Sequence, residues 1–290
     1  MPRMSYAAPT TVDEAVKVLA SATGTAKVLA GGTDLLVQLK SGRLRPDLIV
    51  DTKHIPDVIG IREEGDHWVI GAATPGVMIS ANERLEHALP GVVEGVDLIG
   101  SQQIQGRASI AGNLCNASPA ADSVPPVIAA RGIAVIAGPN GRRETPVESI
   151  VTGPGQTSLT KGEFVVEFKI PKPKQRQAGA YLRFIPRTEM DIAVVGCAVD
   201  VTLDAAGTCT DARVVLGAVA PTQLVVEEAA QALIGHKLDA DTLARLDAAA
   251  QRICKPISDK RGTIEYRTKI AGVLARRAAA IAFERAAARA

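Results

Sequence analysis

The stretch Ser109-Ile-Ala-Gly-Asn-Leu-Cys-Asn-Ala-Ser-Pro-Ala-Ala-Asp122 lies near the middle of a chain of 290 residues. Small and polar residues fill most of it, among them two asparagines, a glycine and a proline. The run is too polar and too broken to form core, and it lacks the Gly/Ser monotony of a flexible linker. It therefore predicts ordered backbone that a ligand approaches closely.

A second run of this kind, Ala30-Gly31-Gly32-Thr33-Asp34-Leu35, lies far upstream. It follows an apolar strand predicted over 27–30 and precedes a helix predicted over 35–40. Free amides at such a junction bind anions. Asp34 would repel a phosphate, but it suits a helix N-cap or a ligand hydroxyl that needs an acceptor.

Each run by itself is also consistent with local structure alone. The run Ala30–Leu35 can be a strand–turn–helix corner whose glycines serve geometry, and the run Ser109–Asp122 can be a Ser/Asn-rich turn that caps the helix after Pro119. Together, the two runs favour a dinucleotide or phosphosugar held between them.

The remaining pattern predicts an α+β fold in three parts. A β–α–β unit fills 1–55, and strands and helices, including one helix over 77–89, fill 56–174. The segment Lys172–Gln177 combines charge and proline and predicts a linker. Residues 178–290 then read as three long strands followed by alanine-rich helices, which indicates a small α+β domain.

Composition excludes several classes of function. The chain is 47% hydrophobic with a net charge of +2, which argues against nucleic acid as a partner. Its four cysteines have no CxxC spacing, so we expect no intrinsic metal site and reduced thiols in a cytoplasmic protein. The sequence lacks an apolar run long enough for a membrane span or a signal peptide.

Familiar catalytic templates are missing as well. We find no G-x-G-x-x-G between a strand and a helix, no Walker A motif and no Gly-x-Ser-x-Gly. Cys115 is either a small filler under its loop or a nucleophile. The stretch Arg183–Asp191 is either a self-paired surface or brings Arg183 or Arg187 back to the ligand. We therefore expect no catalytic residue and no metal ligand in this chain.

Five segments resemble one known family in the expected order along nearly the whole chain. Ala30–Asp34 resembles the AGGxS/T pyrophosphate motif of the FAD-binding medium subunits of molybdenum hydroxylases, which include carbon monoxide and xanthine dehydrogenases. Ser109–Asn113 resembles the second motif, T/S-I-G-G-N, and the match continues to Asp122. The other matching segments are Arg187–Ala193, Leu216–Pro221 and Arg261–Arg267.

The resemblance implies a PCMH-type FAD-binding domain of two α+β subdomains, 1–55 and 56–174, and a C-terminal domain, 178–290, of a three-stranded antiparallel sheet and helices. It implies that FAD contacts Ala30, Gly31, Gly32, Thr33, Asp34 and Leu35 in the first motif. In the second it implies Ser109, Gly112, Asn113, Cys115 and Asn116, completed by Ser118 and Asp122. Val166 and Arg183 correspond to residues near the isoalloxazine ring. Ala111 departs from the family's glycine, which is tolerable if its φ is negative.

By the same resemblance, this chain is the FAD-binding electron-transfer subunit of a heteromeric molybdenum hydroxylase. Its FAD would accept electrons from a small [2Fe-2S] subunit beside a large molybdopterin subunit, and pass them to NAD, a quinone or oxygen. The family suggests a heterohexamer of two three-subunit sets. Two alternatives stay open: a stand-alone FAD-dependent reductase on the same fold, and an assembly subunit without flavin.

Overall fold

The computed structural model describes residues 4–187 and 190–289. The first unit is a three-stranded parallel sheet in the order β1-β3-β2, whose crossovers carry two helices. Its elements are β1 (Ser5–Ala7), α1 (Val12–Ser21), β2 (Ala26–Leu29), α2 (Leu35–Lys40) and β3 (Leu48–Asp51). Thr11 caps α1, because the Glu14 amide donates to Thr11 Oγ1 over 3.2 Å.

The second unit is built on a five-stranded sheet in the order β4-β5-β10-β6-β7, with antiparallel neighbours throughout. Its strands are β4 (Ile61–Glu64), β5 (His67–Gly71), β6 (Ile133–Gly138), β7 (Gly141–Pro146) and β10 (Phe164–Pro171), with the small hairpin β8 (Val151–Gly153) and β9 (Gln156–Thr157) beside them. Its helices are α3 (Gly76–Ser80), α4 (Glu83–Ala88), α5 (Pro90–Asp97), α6 (Gln102–Gln105), α7 (Ile110–Cys115) and α8 (Val124–Ala129).

Two helical predictions in this unit need correction. The single helix expected over 77–89 is broken at Asn82, whose side chain accepts from the Leu85 amide and starts α4. The stretch that we judged too polar for core contains α7, whose Leu114 is fully buried. Ser109 caps α7 by accepting from the Gly112 amide over 3.1 Å, so the polar residues of this stretch begin a short helix.

The C-terminal unit is an antiparallel sheet covered by helices. The three expected strands are β11 (Gln177–Phe184), β12 (Val195–Leu203) and β13 (Cys209–Gly217), and the short β14 (Leu224–Val225) adds a fourth. Helices α9 (Glu227–Leu233), α10 (Ala240–Arg252) and α11 (Ile264–Ala288) follow. Among the described helices, none has both the length and the hydropathy of a membrane span.

Both faces of the C-terminal sheet are buried. One face packs under α9, α10 and α11 in a core of small residues. From the other face, Tyr181, Ala198 and Val215 enter the core of the second unit. Successive side chains of β12 point to opposite faces of the sheet, so they pack into two different cores, and the strand is buried along most of its length.

Candidate functional site

A cleft of about 260 Å³ lies where the first and second units meet. Its walls are the β2–α2 corner, the start of α7 and the segment 157–165. Eleven of the fifteen predicted cofactor residues line it: Ala30, Gly31, Gly32, Thr33, Asp34, Leu35, Ser109, Gly112, Asn113, Cys115 and Asn116. Two motifs that are far apart in the sequence are thus brought into one site, as the sequence analysis expects of a shared ligand.

The glycines of the corner allow a tight approach of two backbones. A Cβ on Gly31 would lie 1.9 Å from the carbonyl oxygen of Arg107, in the turn that precedes α7. Gly32 has a φ of +80°, a conformation that other L-residues seldom adopt. The Gly-Gly pair therefore has a geometric role, and the close approach that it allows closes one end of the cleft.

The backbone of the same corner keeps donors free. In the described part of the chain, the amides of Gly32, Thr33 and Asp34 donate to no protein acceptor. Asp34 occupies the N-cap position of α2, but its side chain makes no capping bond, and desolvation raises the pKa of its carboxyl. The corner thus offers amide donors and one uncommitted carboxyl group to a ligand in the cleft.

Helix α7 supplies the facing wall. Ala111, where the family has glycine, lies inside this helix and is not among the residues with positive φ. Its methyl group is buried against the core of the second unit. The substitution therefore leaves the backbone of the wall in its helical conformation.

Two asparagines on this wall are held by other elements. Asn113 Oδ1 accepts from the amide and the hydroxyl of Ser123, over 3.1 and 2.8 Å. Asn116 Oδ1 accepts from Gln38 Nε2 on α2 over 3.0 Å. The second bond links the first and second units beside the cleft, so it fixes the width of the opening.

Four predicted site residues lie outside the lining of the cleft. Ser118 Oγ accepts from the Ala120 amide within its own turn. Val166 is buried in the core cluster that also contains side chains of α1 and β3, and it lies at the register shift between Val165 and Glu167 of β10. Asp122 and Arg183 bind each other and are treated next.

Asp122 is almost fully buried at the boundary with the C-terminal sheet. Arg183 Nη1 donates to it over 2.6 Å and Tyr181 Oη over 2.9 Å, both from β11. Burial raises the pKa of Asp122 to about 6, against the opposing pull of Arg183 and Tyr181. Both oxygens of this carboxylate therefore accept hydrogen bonds from the protein itself, and Arg183 Nε is buried without a hydrogen-bond partner among the described residues.

The stretch Arg183–Asp191 is self-paired in one of its described contacts, Arg187 with Asp191, while Arg183 pairs with Asp122 outside it. Arg187 Nε donates to Asp191 over 3.1 Å, and Arg261 Nε donates to the other oxygen of Asp191 over 3.0 Å. Thr188 and Glu189, which belong to the Arg187–Ala193 motif, lie outside the described residues. Neither Arg183 nor Arg187 lines the cleft.

Sequence reasoning missed several lining residues, among them Lys27, Gln38, Leu44, Thr52 and Glu163. The sequence could have indicated Gln38 as a lining residue, because it lies three positions after Leu35 and therefore on the same face of α2. Glu163 had none, since the segment 157–165 carries no motif. Its carboxylate is paired with Arg143 over 2.7 Å, which lowers the pKa of Glu163 to about 2. Cys115 is exposed at the cleft with a free thiol.

Comparison with known proteins covers both halves of the chain. Residues 2–173 match the family model described as the FAD binding domain in molybdopterin dehydrogenase, and residues 180–282 match the CO dehydrogenase flavoprotein C-terminal domain. The carbon monoxide dehydrogenase medium chain of Hydrogenophaga pseudoflava is 35% identical over 286 residues, 99% of each chain. The xanthine dehydrogenase FAD-binding subunit of Escherichia coli O157:H7 is 32% identical over 265 residues, 91% of this chain and 90% of its own.

Solved structures agree with these matches. A chain of carbon monoxide dehydrogenase from Hydrogenophaga pseudoflava, in a form that lacks the Mo-pyranopterin moiety of the molybdenum cofactor, superposes with a TM-score of 0.93 at 36% identity and 98% coverage of both chains. A chain of quinoline 2-oxidoreductase from Pseudomonas putida 86 gives a TM-score of 0.90 at 25% identity, with 99% of both chains covered.

Proposed function

Because the chain belongs to the family of FAD-binding medium subunits of CO dehydrogenase- and xanthine dehydrogenase-type molybdenum hydroxylases, we propose that it carries electrons from an iron–sulfur partner subunit to an external acceptor. Membership makes the chain a component of an oxidoreductase with its own FAD-binding domain. The electron donor, the acceptor and the assembly belong to the proposal.

The residues of the cleft fit a bound FAD. The free amides of Gly32, Thr33 and Asp34 suit a pyrophosphate, and the close packing of Gly31 on the Arg107 backbone brings the two walls of the cleft together at this end. Ser109, Gly112, Asn113 and Asn116 would hold the cofactor from the facing wall. This pair of facing walls is the observation that carries the proposal.

Bound FAD would supply two-electron redox chemistry that no side chain of this cleft offers. The chain's own residues would bind and orient it. Gln38 would hold Asn116 across the cleft, and Ser123 would hold Asn113 in place. Four further residues are expected near the flavin from the resemblance alone: Ser118, Asp122, Val166 and Arg183. In this arrangement they would lie behind the residues that line the cleft and support them.

The proposed partners are a large molybdopterin subunit and a small iron–sulfur subunit, in a heterohexamer of two three-subunit sets. The acceptor would be NAD, a quinone or oxygen. All four cysteines are free, which supports a cytoplasmic location.

The visible spectrum of the purified chain, alone and co-expressed with its partner subunits, tests the proposal. We expect a flavin band in the wild type and at least tenfold weaker FAD retention in Asn113→Ala. The control is Asn140→Ala, in the exposed β6–β7 turn, which should retain flavin fully. Absence of flavin from both wild-type preparations would contradict the proposal, and NAD(P)H-dependent turnover by the chain alone would favour a stand-alone reductase.

A further inference from the structure

Helix α2 forms one side of the cleft, yet it is packed against little else. Leu35 and Gln38 of the helix line the cleft, as does Leu44 in the loop that follows it. None of the six residues of α2 is buried, and none belongs to the hydrophobic cores of the described chain. Leu36 and Val37 are 54% and 65% exposed. Apolar burial therefore contributes little to holding this helix in place.

The two ends of α2 have the geometry of hinges. The strands on either side of it, β2 and β3, are fixed to each other by a parallel ladder that ends with Leu29 opposite Asp51. Gly32, before the helix, has a φ of +80°, and Gly42, after it, has a φ of +70°. Glycine changes its backbone conformation at low cost, and hinges are formed by a few such positions at the ends of elements. Helix α2 can therefore move as one short piece between two fixed strands.

One hydrogen bond joins this helix to the facing wall of the cleft. Gln38 Nε2 donates to Asn116 Oδ1 over 3.0 Å, and Asn116 is the C-cap residue of α7. The hydroxyl of Ser41 donates to the Gln38 carbonyl over 3.1 Å, which is a contact within the segment itself. Within the described ranges, no second hydrogen bond and no ion pair connects residues 31–46 to the second unit. The position of α2 over the cleft therefore depends on the side chain of Gln38.

From these observations we infer that α2 is a lid over the cleft, and that Gln38 is a positioning residue that keeps it closed by holding Asn116. Opening of this one contact then limits both the entry and the release of the dinucleotide. The inference rests on the proposed function, because the dinucleotide that the lid retains is the FAD proposed for the cleft.

The test follows the cofactor in the complex co-expressed with both partner subunits. Gln38→Leu keeps a side chain of similar size and removes its amide donor. We expect release of FAD, measured by the rise of flavin fluorescence after dilution, to be about three- to tenfold faster than in the wild type, the range that one neutral hydrogen bond supports. Uptake of FAD by flavin-depleted complex should become faster as well, because both directions need the same opening. The equilibrium affinity for FAD should therefore change less than the release rate.

A double-variant cycle shows whether Gln38 acts through Asn116. Asn116→Ala already lacks the acceptor, so adding Gln38→Leu to it should change both rates by less than about twofold. The matched control is Val37→Leu, which introduces the same side chain at the neighbouring, 65% exposed position of α2. Its rates of uptake and release should equal those of the wild type.

Three results would overturn the inference: wild-type rates in Gln38→Leu, faster release with unchanged uptake, or full additivity of Gln38→Leu with Asn116→Ala. Faster release alone would make Gln38 a contact of the bound cofactor, and additivity would mean that it acts independently of Asn116. Failure of the proposed function is a separate result, because it would leave the wild-type complex without flavin. A wild-type complex with flavin and an unaffected Gln38→Leu variant would contradict the lid alone.

Discussion

At the level of single residues, Gly31 and Gly32 need glycine for different physical reasons. Gly31 is required by space, because any Cβ would collide with the Arg107 carbonyl oxygen. Gly32 is required by conformation, because its φ is +80°. The first residue brings the two walls together, and the second sets the direction of the free amides. Substitutions at the two positions should therefore fail in different ways.

Gly32→Ala should reduce FAD affinity at least tenfold while the chain stays folded. The methyl group would lie 2.9 Å from Leu29 Cδ1, and the positive φ costs about 1–2 kcal/mol in an L-residue. Both effects turn the amides of the corner away from their present positions. Titration of free FAD, followed by flavin fluorescence, measures the change.

The matched control is Gly207→Ala, in the turn before β13. Gly207 also has a φ of +80°, but nothing lies within 4 Å of its added Cβ and it is remote from the cleft. Its FAD affinity should equal that of the wild type. Equal losses in both variants would mean that general destabilisation, rather than the corner, governs binding.

The sequence predicts residues of the cleft well where a motif is local. Two short runs, Gly31–Asp34 and Ser109–Asn116, contain these residues, and their spacing can be recognised directly in the sequence. Asp122 and Arg183 carry no such signal for their pairing, because they lie 61 positions apart in the sequence and meet through the packing of β11 against the end of the second motif. A charged residue's partner depends on tertiary contacts that no local pattern encodes.

At the level of elements, α7 is a helix that local sequence does not predict, because tertiary contacts stabilise it. It is six residues long and contains a glycine and an asparagine, so intrinsic propensity is against it. The Ser109 cap and the burial of Leu114 stabilise it in the fold. Longer amphipathic helices such as α1, and the three long strands of the C-terminal sheet, are predicted from periodicity because many residues support them.

The ion pair between Asp122 and Arg183 fastens the segment before α8 to β11. Arg183→Met should lower stability by roughly 3–5 kcal/mol, since it leaves a buried carboxylate without its cation. Adding Asp122→Asn to Arg183→Met should recover part of that loss, because the amide that replaces the carboxylate is neutral and still accepts from Tyr181. Melting temperatures of the single and double variants measure the difference.

Tyr181→Phe is the control for this pair. It removes one hydrogen bond but leaves both charges, so its effect should be close to about 1 kcal/mol. If the single Arg183→Met variant were as stable as the double variant, Asp122 would not be an ionised partner of Arg183 in the folded protein.

At the level of the whole molecule, polar contacts join the C-terminal sheet to the second unit around their common core. Arg131 donates to both oxygens of Asp211 over 2.8 Å, and Arg285 binds Glu94 over 2.5 Å. These contacts span the segment Lys172–Gln177, which we predict to be a linker. The division at this segment stays a prediction about independent folding, since the two sides share a core in the assembled chain.

Asp200 is a second buried carboxyl at this junction, besides Asp122, and its protonation makes the stability of the molecule depend on pH. It accepts from Gln177 over 2.7 Å, and burial raises its pKa to about 6. The folded protein therefore binds a proton on Asp200 between about pH 6 and 4 that the unfolded chain, with an ordinary pKa near about 3.9, does not. Ionised Asp200 thus costs stability above about pH 6, by roughly 3 kcal/mol relative to a pH below both pKa values.

Asp200→Asn removes this cost, because the amide stays neutral and keeps an oxygen for Gln177. We expect the melting temperature of the variant relative to the wild type to be highest at about pH 7.5 and to fall steadily as the pH is lowered to about 5. Asp241→Asn, at the exposed start of α10, is the control and should show a constant difference over this range. Arg131 Nη1 lies 3.9 Å from Asp200 Oδ1. A difference for Asp200→Asn that is independent of pH would show that Asp200 takes up no proton in the folded state, and that Gln177 and Arg131 keep it ionised.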